Sequence, residues 1–234
     1  MDAAWRMALL SELLLLGFAG VGALLMGGGL GRRLGLEPGR LGWGRALGLS
    51  AGLLCLSAAA DAVLRGAGLR ETGHLAELDR MIRTAPDGLA FTLVALAALP
   101  AVAEELLFRG LIQGALIGWL GPLTAVIATA ALFGALHGDP AHAGSAFVLG
   151  LYLGVVAWTA RSVWPAMLAH ATNNALGVLT ASGHLPVAGW AGTGPAALWG
   201  GLSAALLIAS CWSSWRGDLP KGGTLQRGRD PADL

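Results

Sequence analysis

Eight ionisable or amide side chains lie inside long apolar runs of this sequence, where each of them is costly. On insertion scales, a charged group at the centre of a membrane helix costs roughly 2.5–3.5 kcal/mol, so such groups are candidates for function. A carboxylate combined with histidines is typical of sites that activate water. The eight remain once loops and run ends are set aside: Asp61, Glu104, Glu105, Arg109, His137, His170, Asn173 and Asn174.

The segment "EELLFR" has an internal geometry of its own. Glu105 and Arg109 are four residues apart, so on a helix they share a face and can form an ion pair. Glu104 is rotated by about 100° from its neighbour and gains no helical partner from Arg109. The spacing predicts one glutamate that is neutralised and one that is free for chemistry. For the pair itself, a structural brace remains an equal alternative.

The segments "FGALH" and "HATNN" each add a histidine. Phe133 and His137 are one helical turn apart, and His170 shares a face with Asn174. Asn173 points elsewhere, where an asparagine can hydrogen-bond a neighbouring membrane helix. Taken singly, each segment is compatible with a packing role. The remaining histidines are expected in loops: His74, His142 and His184.

The three segments together favour hydrolysis. A buried carboxylate held against an imidazole can take a proton from water as a general base. A second histidine and an amide can donate hydrogen bonds to the oxyanion of a tetrahedral intermediate. No serine or cysteine is set beside a histidine, so a covalent nucleophile is not indicated. We therefore predict direct attack of water on an amide.

The elements that must position these residues are membrane helices. Of the 234 residues, 55% are hydrophobic and 12% charged, whereas soluble domains carry about 25% charged residues. A span needs roughly 20 apolar residues, which predicts an all-α polytopic bundle of about seven spans (six to eight). The candidate spans are 7–31, 46–64, 89–118, 122–138, 143–160, 163–182 and 196–214. The run 89–118 is too long for one straight crossing, so we expect it to tilt, to kink at Pro100, or to split.

Polar segments divide the chain. The stretch after the second span has Leu75, Leu78, Met81 and Ile82 at helical spacing, which predicts a short amphipathic helix at the membrane interface. We predict four regions: an N-terminal two-span region with this connector (1–88), a catalytic core (89–182), a final span (183–215) and a disordered polar tail (216–234).

Two smaller features concern packing. Asp61 can pair with Arg65 four residues later, near the membrane surface. Two GxxxG pairs are typical of seams where helices approach closely: Gly110 with Gly114, and Gly150 with Gly154.

The three motifs, in this order, resemble the CAAX-protease and bacteriocin-processing membrane proteases, the CPBP (or ABI) family. Its pattern is EExxxR, then FxxxH, then HxxxN, each on its own membrane helix. Here these read "EELLFR", "FGALH" and "HATNN", and the resemblance covers roughly residues 89–182. It implies a glutamate-dependent intramembrane endopeptidase that needs no cofactor or metal.

The resemblance also implies roles for individual residues. Glu104 would activate water with help from His137, and His170 with Asn174 would form the oxyanion hole. Three residues would support the site: Glu105 and Arg109 through their ion pair, and Phe133 by packing beneath His137.

Other functions remain open at this stage. Two histidines and a glutamate can ligate zinc, although no HExxH motif occurs. A non-catalytic scaffold or immunity protein and a proton-relay transporter are further alternatives, the last without an inverted repeat to support it. The expected partners are the lipid bilayer and a membrane protein or peptide substrate: a prenylated tail, a leader peptide or a C-terminal anchor.

Location and nucleic-acid binding follow from the charges. The net charge is +1 and no basic cluster with interleaved aromatics occurs, so a nucleic-acid partner is not expected. Every basic residue except Lys221 is arginine, a bias typical of GC-rich bacterial genomes. We therefore expect an integral protein of a bacterial inner (plasma) membrane.

Overall fold

The computed structural model describes residues 3–85, 88–185 and 195–218. Within these residues the fold is entirely helical, which confirms the predicted all-α class. The helices are α1 (Ala3–Met26), α2 (Leu30–Arg33), α3 (Trp43–Gly66), α4 (Gly73–Arg83), α5 (Gly88–Leu120), α6 (Pro122–Leu136), α7 (Pro140–Ala160), α8 (Trp164–Ala181) and α9 (Ala196–Asp218).

Four helices are long and apolar enough to cross a membrane: α1, α3, α5 and α7. Two more apolar segments are shorter among the described residues: α6 and the part of α9 from Ala196 to Trp212. The predicted count of about seven spans is therefore not confirmed. The division into four regions stays a prediction, and residues 219–234 of the predicted tail lie outside the described residues.

Helix α5 contains the long run around "EELLFR" and is widened at two places. π-Helical turns cover Val94–Ala98 and Glu105–Gln113, with an α-helical turn, Leu99–Glu104, between them. Pro100 lies in that intervening turn. Because proline cannot donate a backbone hydrogen bond and crowds the preceding turn, the widening just before it has a local cause. Single π-turns are frequent at functional sites.

Two side chains of the second π-helical segment attach α5 to α7. The guanidinium of Arg109 donates from Nη2 to the carbonyl oxygen of Gly150, at 3.2 Å. One turn later, Gln113 donates from Nε2 to the carbonyl oxygen of Gly154, at 3.0 Å. Glycine at 150 and 154 leaves these carbonyls uncovered, so the second GxxxG pair is a seam between helices, as predicted.

The predicted amphipathic helix forms as α4. Its Ile82 is buried against Val178 and Ala181 of α8, so part of its apolar face is covered by protein. An interfacial position in the membrane stays a prediction.

Asp61 anchors the connection that leads into α4. Its two carboxylate oxygens accept from Arg65 at 2.7 Å, as the spacing predicts, and from Arg70 at 2.8 Å. Arg70 is also paired with Asp79 of α4, at 3.1 Å. The network joins α3 to α4 and explains Asp61 without a chemical role.

Candidate active site

The structure brings all four predicted catalytic residues to one cavity of about 1050 Å³. Glu104 reaches it from α5, His137 from the residue that follows α6, and His170 and Asn174 from α8. Residues that are 70 positions apart in the sequence therefore share one space. The sequence alone left open whether these groups lie at a common depth.

Glu105 and Arg109 lie behind the cavity wall rather than on it. Their side chains are 0% exposed, and Arg109 Nη1 lies 3.0 Å from Glu105 Oε1. The Arg109 guanidinium also lies over the ring of Phe133, 4.3 Å from its centroid. The predicted ion pair is thus confirmed, and the π-helical turn preserves the contact that an α-helix would give.

His170 joins the two glutamates. Its Nδ1 lies 2.9 Å from Glu105 Oε1, and its Nε2 lies 3.6 Å from Glu104 Oε2. A carboxylate can only accept, so Nδ1 carries a proton and donates to Glu105. This hydrogen bond fixes the orientation of the imidazole, and its other nitrogen points toward Glu104.

His137 is oriented by its own helix. Its Nδ1 donates to the carbonyl oxygen of Phe133, at 2.8 Å, because a carbonyl oxygen can only accept. In the neutral imidazole this leaves Nε2 with a lone pair that can accept a proton. The ring of Phe133 contacts His137 edge-on, with centroids 5.0 Å apart, which confirms the predicted packing of Phe133.

The two asparagines of α8 both line the cavity. The amide nitrogen of Asn173 donates to Oδ1 of Asn174, at 3.4 Å. The prediction that Asn173 points away from the site is wrong, since its side chain turns toward its neighbour. Asn174 lines the cavity, and its amide nitrogen can donate a hydrogen bond there.

Three further cavity residues were missed or misplaced from the sequence. Glu12 of α1 lines the same cavity, and the only signal for it is a single carboxylate within an apolar run. His74 and His142 are not loop residues: they lie in α4 and α7 and also line the cavity. The ring of His142 lies 4.4 Å from that of His137 and 5.2 Å from that of His74.

The cavity is lined by acids, imidazoles and amides, but a metal site is not evident. Among the described residues, no group of three or more histidine, cysteine or acidic side chains is arranged to hold a metal ion. The cofactor-free reaction stays a prediction. A carboxylate, an imidazole with a free lone pair and an amide donor can together bind water beside a carbonyl group.

A comparison with known protein families finds a match for the segment that contains most of this site. The family model described as type II CAAX prenyl endopeptidase, Rce1-like, matches residues 86–176. The match contains all three motifs and confirms the resemblance that they carry. Searches of curated proteins and of solved structures return no significant match. The match and the apolar helices together indicate an integral membrane protein.

Proposed function

Because residues 86–176 match the family model described as type II CAAX prenyl endopeptidase, Rce1-like, we propose that this chain is an intramembrane endopeptidase. It hydrolyses a peptide bond in a membrane-associated protein or peptide tail, using water activated by Glu104 and His137. The observation that carries the proposal is the shared cavity of Glu104, His137, His170 and Asn174. The expected setting is a bacterial inner membrane.

Glu104 is the general base in this mechanism. Of the two adjacent glutamates, Glu104 is the one that borders the cavity, whereas Glu105 is held by Arg109 and by His170. A water molecule between Glu104 and His137 can donate one hydrogen to the carboxylate and the other to Nε2 of the imidazole. Its oxygen then attacks the carbonyl carbon of the substrate while Glu104 takes the proton.

His170 and Asn174 stabilise the oxyanion. The amide nitrogen of Asn174 can donate a hydrogen bond in the cavity that this residue lines. Because Nδ1 of His170 already donates to Glu105, Nε2 can donate only when the imidazole carries both protons. The two neighbouring carboxylates favour that charged form, and preorganised donors of this kind contribute ~2.7–4 kcal/mol each to catalysis.

The walls of the cavity suit an apolar substrate segment. Side chains from five helices surround the polar centre: Met7, Leu53, Leu75, Leu78, Met81, Leu96 and Leu149. Burial of apolar surface would hold a lipidated or hydrophobic peptide tail. Prenylated tails, leader peptides and C-terminal membrane anchors all meet this requirement.

The test is cleavage by the purified protein in liposomes. Peptides of the three classes are offered to the wild type and to Glu104→Gln, which keeps the size of the side chain but not its basicity. We expect cleavage of at least one class by the wild type and a loss of at least about 10²-fold in the variant. Activity should persist in excess chelator, whereas loss in chelator would favour a zinc protease. Equal cleavage by both proteins would reject the proposal.

A further inference from the structure

Helix α1 brings a second carboxyl group to the proposed active site. Glu12 lines the cavity together with Glu104 and His170, and its carboxyl group interacts electrostatically with both. It lies outside the family match, which covers residues 86–176. Helix α1 packs against the Leu99–Glu104 turn and the π-helical turn of α5, so the position of Glu12 is set by the same helix that carries Glu104.

The carboxyl group of Glu12 is incompletely satisfied. Its Oε2 atom is buried and has no hydrogen-bond partner among the described residues. Oε2 of Glu105 is in the same state, but Oε1 of Glu105 is held by an arginine and a histidine. A buried polar atom left without a partner is uncommon in proteins and needs an explanation, such as a catalytic role or a bound molecule.

Glu12 and Glu104 line one cavity, and two carboxylates that share a site repel each other when both are ionised, so such a pair tends to hold one proton between them. Glu104 must be ionised to act as the base. The retained proton then belongs on Glu12.

We propose that Glu12 is the proton donor to the leaving amine in the peptide cleavage proposed above. The inference rests on that function and adds a proton donor from outside the three motifs. Amide hydrolysis needs one, because an unprotonated amide anion is a poor leaving group.

The step balances as follows. Glu104 takes one proton from water as the water oxygen bonds to the carbonyl carbon, and the carbonyl electron pair moves onto the oxyanion. When the oxyanion collapses, the carbon–nitrogen bond breaks and the nitrogen takes the proton of Glu12. The products are a carboxylic acid and an amine. Transfer of the proton from Glu104 to Glu12 restores the starting state.

The experiment compares two leaving groups in the liposome assay. One substrate is a peptide amide that the wild type cleaves, and the other is the 4-nitrophenyl ester of the same acyl part. Nitrophenolate departs without a proton, so the ester does not need the acid. For Glu12→Gln we expect kcat on the amide to fall about 10²–10³-fold, with a fall of less than about 10-fold on the ester.

Two further variants control for structure. Leu13→Ala changes the next residue of α1, whose side chain is exposed and does not line the cavity, and it should leave both rates unchanged. Glu12→Asp keeps the acid on a shorter side chain and should lose less on the amide than Glu12→Gln. If Glu12→Gln does not fold, Glu12→Asp takes its place, with a larger loss on the amide than on the ester expected.

Equal losses on the two substrates, or no loss on either, would overturn the role of Glu12. This outcome is separable from failure of the proposed function. If Glu104→Gln is inactive while Glu12→Gln is normal, only the role of Glu12 fails. If Glu104→Gln is as active as the wild type, the proposed hydrolysis itself fails.

Discussion

At the scale of single residues, the site depends on which of two adjacent glutamates is paired. Glu105 is enclosed by Arg109 and by His170, with both side chains of the ion pair 0% exposed. Glu104 Oε2 lies 3.6 Å from His170 Nε2, and Glu104 keeps access to the cavity. The burial of one carboxylate with its partners thus leaves the next one open for chemistry.

This enclosure predicts a large stability effect for Arg109→Gln. Removing one member of a buried ion pair costs about 3–5 kcal/mol, and Glu105 would keep its contact with His170 but lose its permanent cation. The free energy of unfolding, measured by denaturant titration in detergent micelles, should fall by that amount.

The matched control is Arg65→Gln. Arg65 also pairs with an acid four residues away, but its side chain is 46% exposed, so the loss should be about 0–1 kcal/mol. Asp61 also retains Arg70 in this variant. Similar losses in the two variants would show that burial does not decide the strength of the Glu105–Arg109 pair.

Residue spacing predicted part of this arrangement and not the rest. The four-residue separation of Glu105 and Arg109 was sufficient for their ion pair, because that contact is local. The contact of His170 with both glutamates depends on how α8 packs against α5, which periodicity does not encode. Glu12 was missed for the same reason, since nothing near it in the chain forms a motif.

At the scale of elements, α5 approaches its neighbours where glycine permits it. A methyl group on Gly110 would overlap with the backbone of Leu34, whereas a methyl group on Gly114 would meet nothing within 4 Å. Only the first glycine of this GxxxG pair is therefore part of a seam. The sequence pattern gave both equal weight, because it does not say which side of the helix is packed.

Substitution at these two glycines tests the seam. We expect Gly110→Ala to lower the free energy of unfolding by about 1–3 kcal/mol, because the helix must move away from Leu34. Gly114→Ala should be neutral or stabilising by up to about 1 kcal/mol, because alanine favours a helix over glycine. The same denaturant titration measures both. A larger loss at Gly114 than at Gly110 would contradict this packing.

The start of α7 gives a pH-dependent prediction. Asp139 accepts hydrogen bonds from the backbone N–H groups of His142 and Ala141. The bond from His142 is the largest cause of a pKa of Asp139 below its ordinary value, and the bond from Ala141 adds to it. A lowered pKa in the folded protein adds stability above the unfolded pKa, and that stability is lost as the pH falls through the folded pKa.

The matched variant is Asp139→Asn, which keeps a capping oxygen but does not titrate. Thermal unfolding of both proteins is measured between pH 7 and pH 3. Any greater stability of the wild type over the variant at neutral pH should disappear below about pH 4. A difference that stays constant across this range would argue against an ionised cap.

Helices were predicted correctly where the prediction depends on local properties of the chain, namely apolar length and periodicity. Helix α4 forms where the spacing of Leu78 and Ile82 predicts it. The π-helical turns of α5 were not predicted, since they depend on Pro100 and on contacts with α7. The count of about seven spans is not confirmed, because apolar length alone does not separate a crossing helix from a shorter apolar helix.

At the scale of the whole molecule, distant parts of the chain complete the cavity. The segment that matches the family supplies the three motifs, while α1 contributes Glu12 and α4 contributes His74. A substrate in the cavity would thus contact helices outside the matched segment. Such contacts are where members of one family can differ in the tails that they cleave.

The most direct measurement compares the membrane proteome of cells that make the wild type with that of cells that make Glu104→Gln at equal abundance. New peptide termini are identified by mass spectrometry after labelling in each strain. We predict at least one membrane-associated protein whose cleaved terminus is present with the wild type and missing with the variant. Identical termini in the two strains, with both proteins folded in the membrane, would contradict hydrolysis by Glu104.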